Sequence, residues 1–89
     1  MSKFLIASRH TEEDCVRAID ATLDKGSNIL DKFVFGCSEG DHTGYAIVDA
    51  KSISDALGLV PDFLQKDACI TKVSKLSPAD VKSMHSKAA

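Results

Sequence analysis

Two kinds of hydrophobic pattern follow each other along the chain. Short runs of β-forming residues are separated by stretches in which apolar residues recur at helical intervals. The run KFLIAS (3–8) predicts a first strand, and the stretch 10–26 spaces its apolar residues as an amphipathic helix does. The runs 32–37 and 43–50 are rich in aromatic and β-branched residues, and the turn-forming loop SEGDH (38–42) joins them. These two runs therefore predict a β-hairpin.

The second half of the chain predicts another helix, another strand and a short closing helix. Apolar residues recur at helical intervals over 52–68, where Pro61 is expected to break or kink the helix. The run 69–76 predicts a fourth strand, and 77–89 predicts the terminal helix. The order β-α-β-β-α-β predicts an α+β fold of the ferredoxin-like type. In it a four-stranded antiparallel sheet carries two helices on one face, in a single domain over 1–89.

The predicted strands are apolar on both of their faces. In the runs 4–7, 33–37 and 45–48, both alternating sets of side chains are apolar, whereas a strand with one solvated face alternates apolar with polar residues. Two helices cover only one face, and the terminal helix is too short and polar to cover the other. A second copy of the sheet is the expected cover, so the sequence predicts a homodimer with its two sheets face to face.

This chain length, element order and doubly apolar strand pattern resemble the dimeric α+β barrel superfamily, whose members pack two such sheets together. The resemblance covers nearly the whole chain and rests on element order and burial. The superfamily includes cofactor-independent monooxygenases, lactone isomerases, haem-dependent enzymes, stress-response proteins and small metal binders. The resemblance therefore implies the fold and the dimer, and it leaves the function open because one fold supports many functions.

Charge and cysteine content restrict the partners and the compartment. A net charge of -2 gives no electrostatic reason to bind nucleic acid, and the apolar run near the N-terminus, 4–7, is too short for a signal segment or a membrane span. Cys15, Cys37 and Cys69 fit neither a paired disulfide framework nor a CxxC metal motif. We expect reduced thiols in a cytoplasmic protein, with Cys37 the most reactive and the other two inert.

The hairpin loop concentrates side chains that bind metals. Cys37, Glu39, Asp41 and His42 fall within six residues and offer sulfur, oxygen and nitrogen donors. The hairpin should bring Cys37 and His42 together across its ends, and this mixture of soft and borderline donors suits nickel, zinc or copper. The same loop is also typical of an ordinary polar turn, since serine, glycine and aspartate are common turn formers. The sequence leaves both interpretations open.

A second set of residues, His10, Asp49 and Tyr45, could support general-base catalysis. The first and third strands are expected to run parallel in the centre of the sheet, which would place His10 near Asp49. A carboxylate there would raise the basicity of the imidazole and orient its tautomer, and the Tyr45 hydroxyl could orient a small ligand. The alternative is a solvated histidine and a tyrosine whose hydroxyl bonds to backbone or water.

Three functions are compatible with these residues. The leading hypothesis is a small cytoplasmic homodimer that binds a small molecule or a transition metal in the helix–sheet cleft or at the hairpin. The first alternative is a cofactor-independent monooxygenase or isomerase that uses His10 as base. The second alternative is a structural or interaction module with no site. The sequence leaves open whether the protein is an enzyme.

Overall fold

A four-stranded antiparallel sheet organises the chain in a computed structural model that describes residues 1–88, with side chains to residue 86. The final residue of the predicted terminal helix, 89, lies outside this range. The strands lie in the order β2-β3-β1-β4, and each is antiparallel to its neighbours. In chain order the strands are β1 (Ser2–Arg9), β2 (Phe33–Phe35), β3 (Thr43–Ala50) and β4 (Ala68–Val73).

Helices connect the strands and close the chain. The α-helices are α1 (Cys15–Asp24), α2 (Ser27–Leu30), α3 (Ile53–Leu57) and α4 (Pro78–Ala88), and short 3-10 helices span Cys37–Glu39 and Asp62–Asp67. The predictions of an α+β fold, a four-stranded antiparallel sheet and a C-terminal helix are thus confirmed. No helix in the described range is long and apolar enough to cross a membrane.

The predicted helix over 52–68 is divided in two, and Pro61 lies between its parts as expected. The hydroxyl of Ser52 caps α3 by accepting a hydrogen bond from the Asp55 amide at 3.2 Å. The chain leaves the helix at Gly58 and resumes as the 3-10 helix Asp62–Asp67 directly after the proline. A proline supplies no amide hydrogen to a helix, so it favours this break.

One face of the sheet forms the core together with α1, α3 and the 3-10 helix Asp62–Asp67, whereas α4 is exposed along its described side chains. From α1, Ala18 and Thr22 are buried, and the Thr22 hydroxyl donates a hydrogen bond to the Ala18 carbonyl at 2.8 Å. Two other apolar residues of α1, Val16 and Leu23, are 69% and 46% exposed. The buried core consists of Phe4, Ile6, Ala18, Phe33, Ala46, Val48, Ala50, Ala56, Val60 and Leu64.

The other side of the sheet, here called the open face, carries residues that lie outside the buried core: Lys3, Leu5, Val34, Tyr45, Ile47 and Asp49. Its centre is apolar as predicted, with Leu5 paired to Ile47 between β1 and β3. Val34 and Ile47 are 69% and 59% exposed there. One end of this face is charged, where Lys3 and Asp49 form an ion pair at 3.1 Å.

The predicted hairpin of β2 and β3 is confirmed, and its loop is held by backbone hydrogen bonds at Gly36. The Gly36 amide donates to the Thr43 carbonyl at 3.1 Å, and the Asp41 amide donates to the Gly36 carbonyl at 3.0 Å. A Cβ atom added at Gly36 would lie 2.8 Å from the Asp41 carbonyl oxygen, so only glycine fits. Gly40 turns the loop with a φ of 88°, in the left-handed region. The loop therefore returns on itself between Cys37 and His42.

Candidate metal centre

Four metal-ligating side chains meet where β1 ends and β3 begins. His10 directly follows β1, Cys15 opens α1, Cys37 opens the 3-10 helix after β2, and His42 directly precedes β3. Their ligand atoms all lie within 4.8 Å of one another, and all four residues are half-buried. We call these four residues the His/Cys group. It joins the end of the sheet, the first helix and the hairpin loop.

The sheet itself positions the two histidines. The pairing of β1 with β3 ends with Arg9 opposite Thr43, and the His10 amide continues it by donating a hydrogen bond to the His42 carbonyl at 3.0 Å. Residues opposite each other in an antiparallel pair share a face of the sheet. The two imidazoles accordingly lie together, with ring centroids 5.6 Å apart and ring planes at 68°.

The two thiols reach the group from the helix layer and from the hairpin. The Thr11 hydroxyl accepts a hydrogen bond from the Asp14 amide at 3.2 Å in the turn that precedes Cys15, so α1 begins directly beside the end of β1. Cys37 follows Gly36, whose hydrogen bonds close the hairpin loop. The Cys37 Sγ atom lies 3.1 Å from His10 Nε2, within hydrogen-bond distance.

The surroundings of the group favour neutral side chains. Burial lowers the pKa of His10, the neighbouring His42 lowers it further, and Asp14 opposes these effects in part. Burial raises the pKa of the Cys37 thiol, and its contact with the Cys15 thiol adds to this increase. A bound cation would supply the positive charge that stabilises a thiolate at this position.

One imidazole nitrogen in the group has no hydrogen-bond partner. His42 Nδ1 is buried and unpaired in the described structure, and so is the hydroxyl of Ser8, which lies two residues before His10 on β1. A buried polar atom without a partner costs about 1–3 kcal/mol. A metal ion bound through His42 Nδ1 would provide the missing partner.

The two acidic residues predicted as hairpin ligands lie outside the His/Cys group. The Asp41 carboxylate accepts hydrogen bonds from the Tyr45 hydroxyl at 2.6 Å and from the Thr43 hydroxyl at 2.7 Å. The bonds from Tyr45 and Thr43 lower the pKa of Asp41, and the bond to Asp41 raises the pKa of Tyr45. Glu39 is exposed. Of the four predicted hairpin ligands, the structure brings Cys37 and His42 together.

The expected proximity of His10 and Asp49 is wrong. Because β1 and β3 run antiparallel, Asp49 lies opposite Lys3 and forms its ion pair there. Asp49 is seven residues beyond His42 along the chain, which corresponds to about 23 Å in an extended strand. The Tyr45 hydroxyl is bonded to Asp41 rather than to either residue. His10, Asp49 and Tyr45 therefore form no common site in this structure.

Cys15 is the member of the group that the sequence prediction missed, since it was expected to be inert. Only five residues, 10–14, separate β1 from α1, so the start of the helix must lie near the end of the strand. This short connection is the feature of the sequence that could have indicated Cys15 as a ligand. Cys69, also expected to be inert, is exposed on β4 opposite Ala7 and lies outside the group.

A cleft of about 410 Å³ adjoins the group at His10. The side chains around it are Arg9, His10, Thr11, Asp67 and Cys69. It gives solvent and small molecules an approach to the imidazole from the side of β4.

Two thiols and two imidazoles make up a ligand set that is common in tetrahedral metal sites. Comparison of the chain with protein-family models, with curated proteins and with solved structures finds no match. We therefore infer a function from the geometry of the His/Cys group.

Proposed function

We propose that the protein binds a transition metal ion, zinc in the first place, through His10, Cys15, Cys37 and His42. The observation that carries this proposal is the convergence of four ligand atoms within 4.8 Å from four separate chain segments. In a tetrahedral zinc site, neighbouring ligand atoms lie about 3.3–3.8 Å apart, given usual zinc–sulfur and zinc–nitrogen bond lengths. Small side-chain rotations would therefore close the group around an ion.

The ligand types favour zinc over the other metals considered. A tetrahedral set of two sulfur and two nitrogen ligands is typical of zinc, whereas nickel and divalent copper prefer square-planar or tetragonal arrangements. Magnesium and calcium require oxygen ligands, and the nearby carboxylates of Glu39 and Asp41 are outside the group. Zinc is the metal that these side chains suit best, and nickel and copper are its competitors.

The number of ligands favours a structural or metal-carrying role. A catalytic zinc site usually keeps one coordination position for water or substrate, whereas four protein ligands fill the tetrahedron. All four residues are half-buried rather than enclosed, which leaves the ion accessible to exchange. A site that needs two free thiols also fits a reducing compartment such as the cytoplasm.

We further propose that the fold is ferredoxin-like and that the open face pairs with a second copy of the chain. The sheet order β2-β3-β1-β4 supports the first part, with α1 between β1 and β2 and α3 between β3 and β4. The exposed apolar centre of the open face supports the second part. If two copies pair about a two-fold axis, the apolar centres of their open faces contact each other. The charged end of each face, where Lys3 pairs with Asp49, then lies at the rim of the interface.

Metal analysis of protein purified without a histidine tag tests the metal proposal. The apoprotein is titrated with cobalt(II), a spectroscopic substitute for zinc, and then with zinc under chelator competition. We expect one metal per chain, thiolate-to-cobalt charge-transfer absorption and the d–d bands of a tetrahedral site. The variants Cys15→Ser, Cys37→Ser, His10→Gln and His42→Gln should each weaken binding.

Two matched control variants distinguish zinc binding at the His/Cys group from adventitious binding elsewhere on the chain. Cys69→Ser removes the thiol that lies outside the group, and His85→Gln removes an exposed imidazole on α4. Both variants should bind zinc as tightly as the wild type. Equal weakening by control and group variants, or a wild type that takes up no metal, would refute the proposal.

A further inference from the structure

The two cysteines of the His/Cys group are close enough to be joined to each other. Their Sγ atoms lie within 4.8 Å, and both residues are free thiols, 22 positions apart in the sequence. A disulfide requires a sulfur–sulfur distance of about 2.05 Å, so the two atoms would need to approach by at most about 2.8 Å. Rotation of the two side chains and a small shift of the hairpin loop would cover that distance.

We propose that Cys15 and Cys37 form a reversible disulfide that turns the metal site off. This inference rests on the proposed function, because it concerns the same four ligands. Metal ligation by cysteine uses the thiolate, and a disulfide removes both sulfur ligands at once. His10 and His42 alone would leave a two-ligand site that holds zinc weakly, so oxidation would release the ion.

A hydroperoxide is the oxidant in this proposal. One thiol loses its proton, the thiolate attacks a peroxide oxygen and the O–O bond breaks. With hydrogen peroxide the leaving hydroxide takes up that proton, so a sulfenic acid and one water molecule result. The second thiol then attacks the sulfenic sulfur, the S–S bond forms, and the hydroxyl group leaves as a second water. Two electrons pass from the two sulfur atoms to the peroxide, and the two thiol protons end in the water molecules.

The arrangement of the three cysteines favours this pairing. A neighbouring thiol traps a sulfenic acid before it is oxidised further to a sulfinic acid, and Cys15 and Cys37 are such neighbours. Cys69 is exposed on β4 and lies outside the group, so it is not placed to trap a sulfenic acid at either residue. Its substitution therefore provides the matched control.

Oxidation followed by peptide mapping tests the inference. Reduced protein, with and without bound zinc, is treated with stoichiometric hydrogen peroxide, alkylated and digested with trypsin without reduction. The three cysteines fall in separate tryptic peptides, 10–17, 33–51 and 67–72. We expect a cross-link between the first two peptides, release of one zinc per disulfide to a chromogenic chelator, and recovery of zinc binding after reduction with a dithiol. Cys69→Ser, which lacks the exposed thiol that competes for peroxide, should form the same cross-link, and Cys15→Ser should form none.

The outcomes that would contradict this inference also show whether the disulfide or the metal site itself is at fault. Reduced protein that binds zinc but yields sulfinic acids, or cross-links through Cys69, would overturn the redox inference and leave metal binding intact. Zinc that stays bound after the cross-link forms would overturn it as well. Reduced protein that binds no metal would refute the proposed function itself, and the control of that site by a disulfide would fall with it.

Discussion

The backbone amide of His10 donates a hydrogen bond to the backbone carbonyl of His42, with 3.0 Å between nitrogen and oxygen. This bond extends the pairing of β1 and β3 by one step and sets two imidazoles side by side. The ligand group therefore depends on the register of the central strands as well as on the loop that contains Cys37 and His42. Changes in the sheet, the loop or the ligands should affect metal binding in different ways.

Metal should stabilise the folded chain through the His/Cys group. Zinc at a hundredfold excess over its dissociation constant should raise the free energy of unfolding by about 2.7 kcal/mol, because it binds the folded state selectively. The double variant Cys37→Ser, His42→Gln should lose this gain and cost only about 0–1 kcal/mol without metal. Thermal unfolding with zinc, nickel and chelator measures both effects. A wild type that unfolds identically in all three conditions would contradict the prediction.

Cys69 should react fastest with an alkylating reagent. It is exposed, whereas Cys15 and Cys37 are half-buried, and burial raises the pKa of the Cys37 thiol and so reduces its reactive thiolate. The structure thus reverses the expectation that Cys37 is the most reactive. Zinc should protect Cys15 and Cys37 and leave Cys69 unchanged. Timed labelling with mass spectrometry gives the order, and faster labelling of Cys37 in the metal-free protein would disagree with it.

Zinc affinity should rise with pH between 6 and 8. The raised pKa of Cys37 means that its thiol holds a proton at pH 7, which zinc must displace, so lower pH strengthens the competition. The lowered pKa of His10 means that its imidazole is already neutral at pH 7 and contributes little to this slope. Calorimetry in buffers of different ionisation enthalpy measures the protons released. Cys37→Ser should release fewer protons than the wild type, and an equal release would contradict the assignment.

Gly36→Ala should weaken both the fold and the metal site. The added Cβ would lie 2.8 Å from the Asp41 carbonyl oxygen, a backbone atom that cannot move without opening the loop. We expect a loss of about 1–3 kcal/mol in unfolding free energy and weaker zinc binding, because Cys37 is the next residue. Gly58→Ala is the control, since its Cβ would lie 3.3 Å from the Asp55 carbonyl at the C-terminal end of α3, outside the hairpin loop. Zinc titration of the two variants should separate them, and an unaffected Gly36→Ala would count against the described loop.

The proposed dimer should be sensitive to charge on the open face alone. Val34 on this face and Val16 on α1 are equally exposed, at 69% each. Val34→Glu should give a monomer in sedimentation at micromolar concentration, because two buried carboxylates would face an apolar partner. Val16→Glu should remain dimeric. A monomeric wild type, or equal effects of the two substitutions, would exclude pairing through this face.

The sequence predicted those parts of the site that depend on local patterns. Turn-forming residues between two apolar runs correctly placed Cys37 and His42 at the ends of a hairpin loop. His10 was assigned to a different site because the first and third strands were expected to run parallel, which is inconsistent with the antiparallel sheet that was also predicted. Cys15 was expected to be an inert thiol and was therefore not counted among the ligands. A ligand set drawn from four segments has no compact spacing motif, so only the assembled sheet shows it.

The order in which the ligands occur along the chain has a consequence for biosynthesis. All four lie between positions 10 and 42, so a growing polypeptide releases every one of them from the ribosome before β3 and β4 have emerged. Synthesis proceeds from the N-terminus at about 5–20 residues per second, so these segments reach the solvent first. We expect an ion captured at that stage to hold the end of β1, the start of α1 and the hairpin loop together while the sheet is incomplete. The metal available at translation would then influence the yield of folded chains.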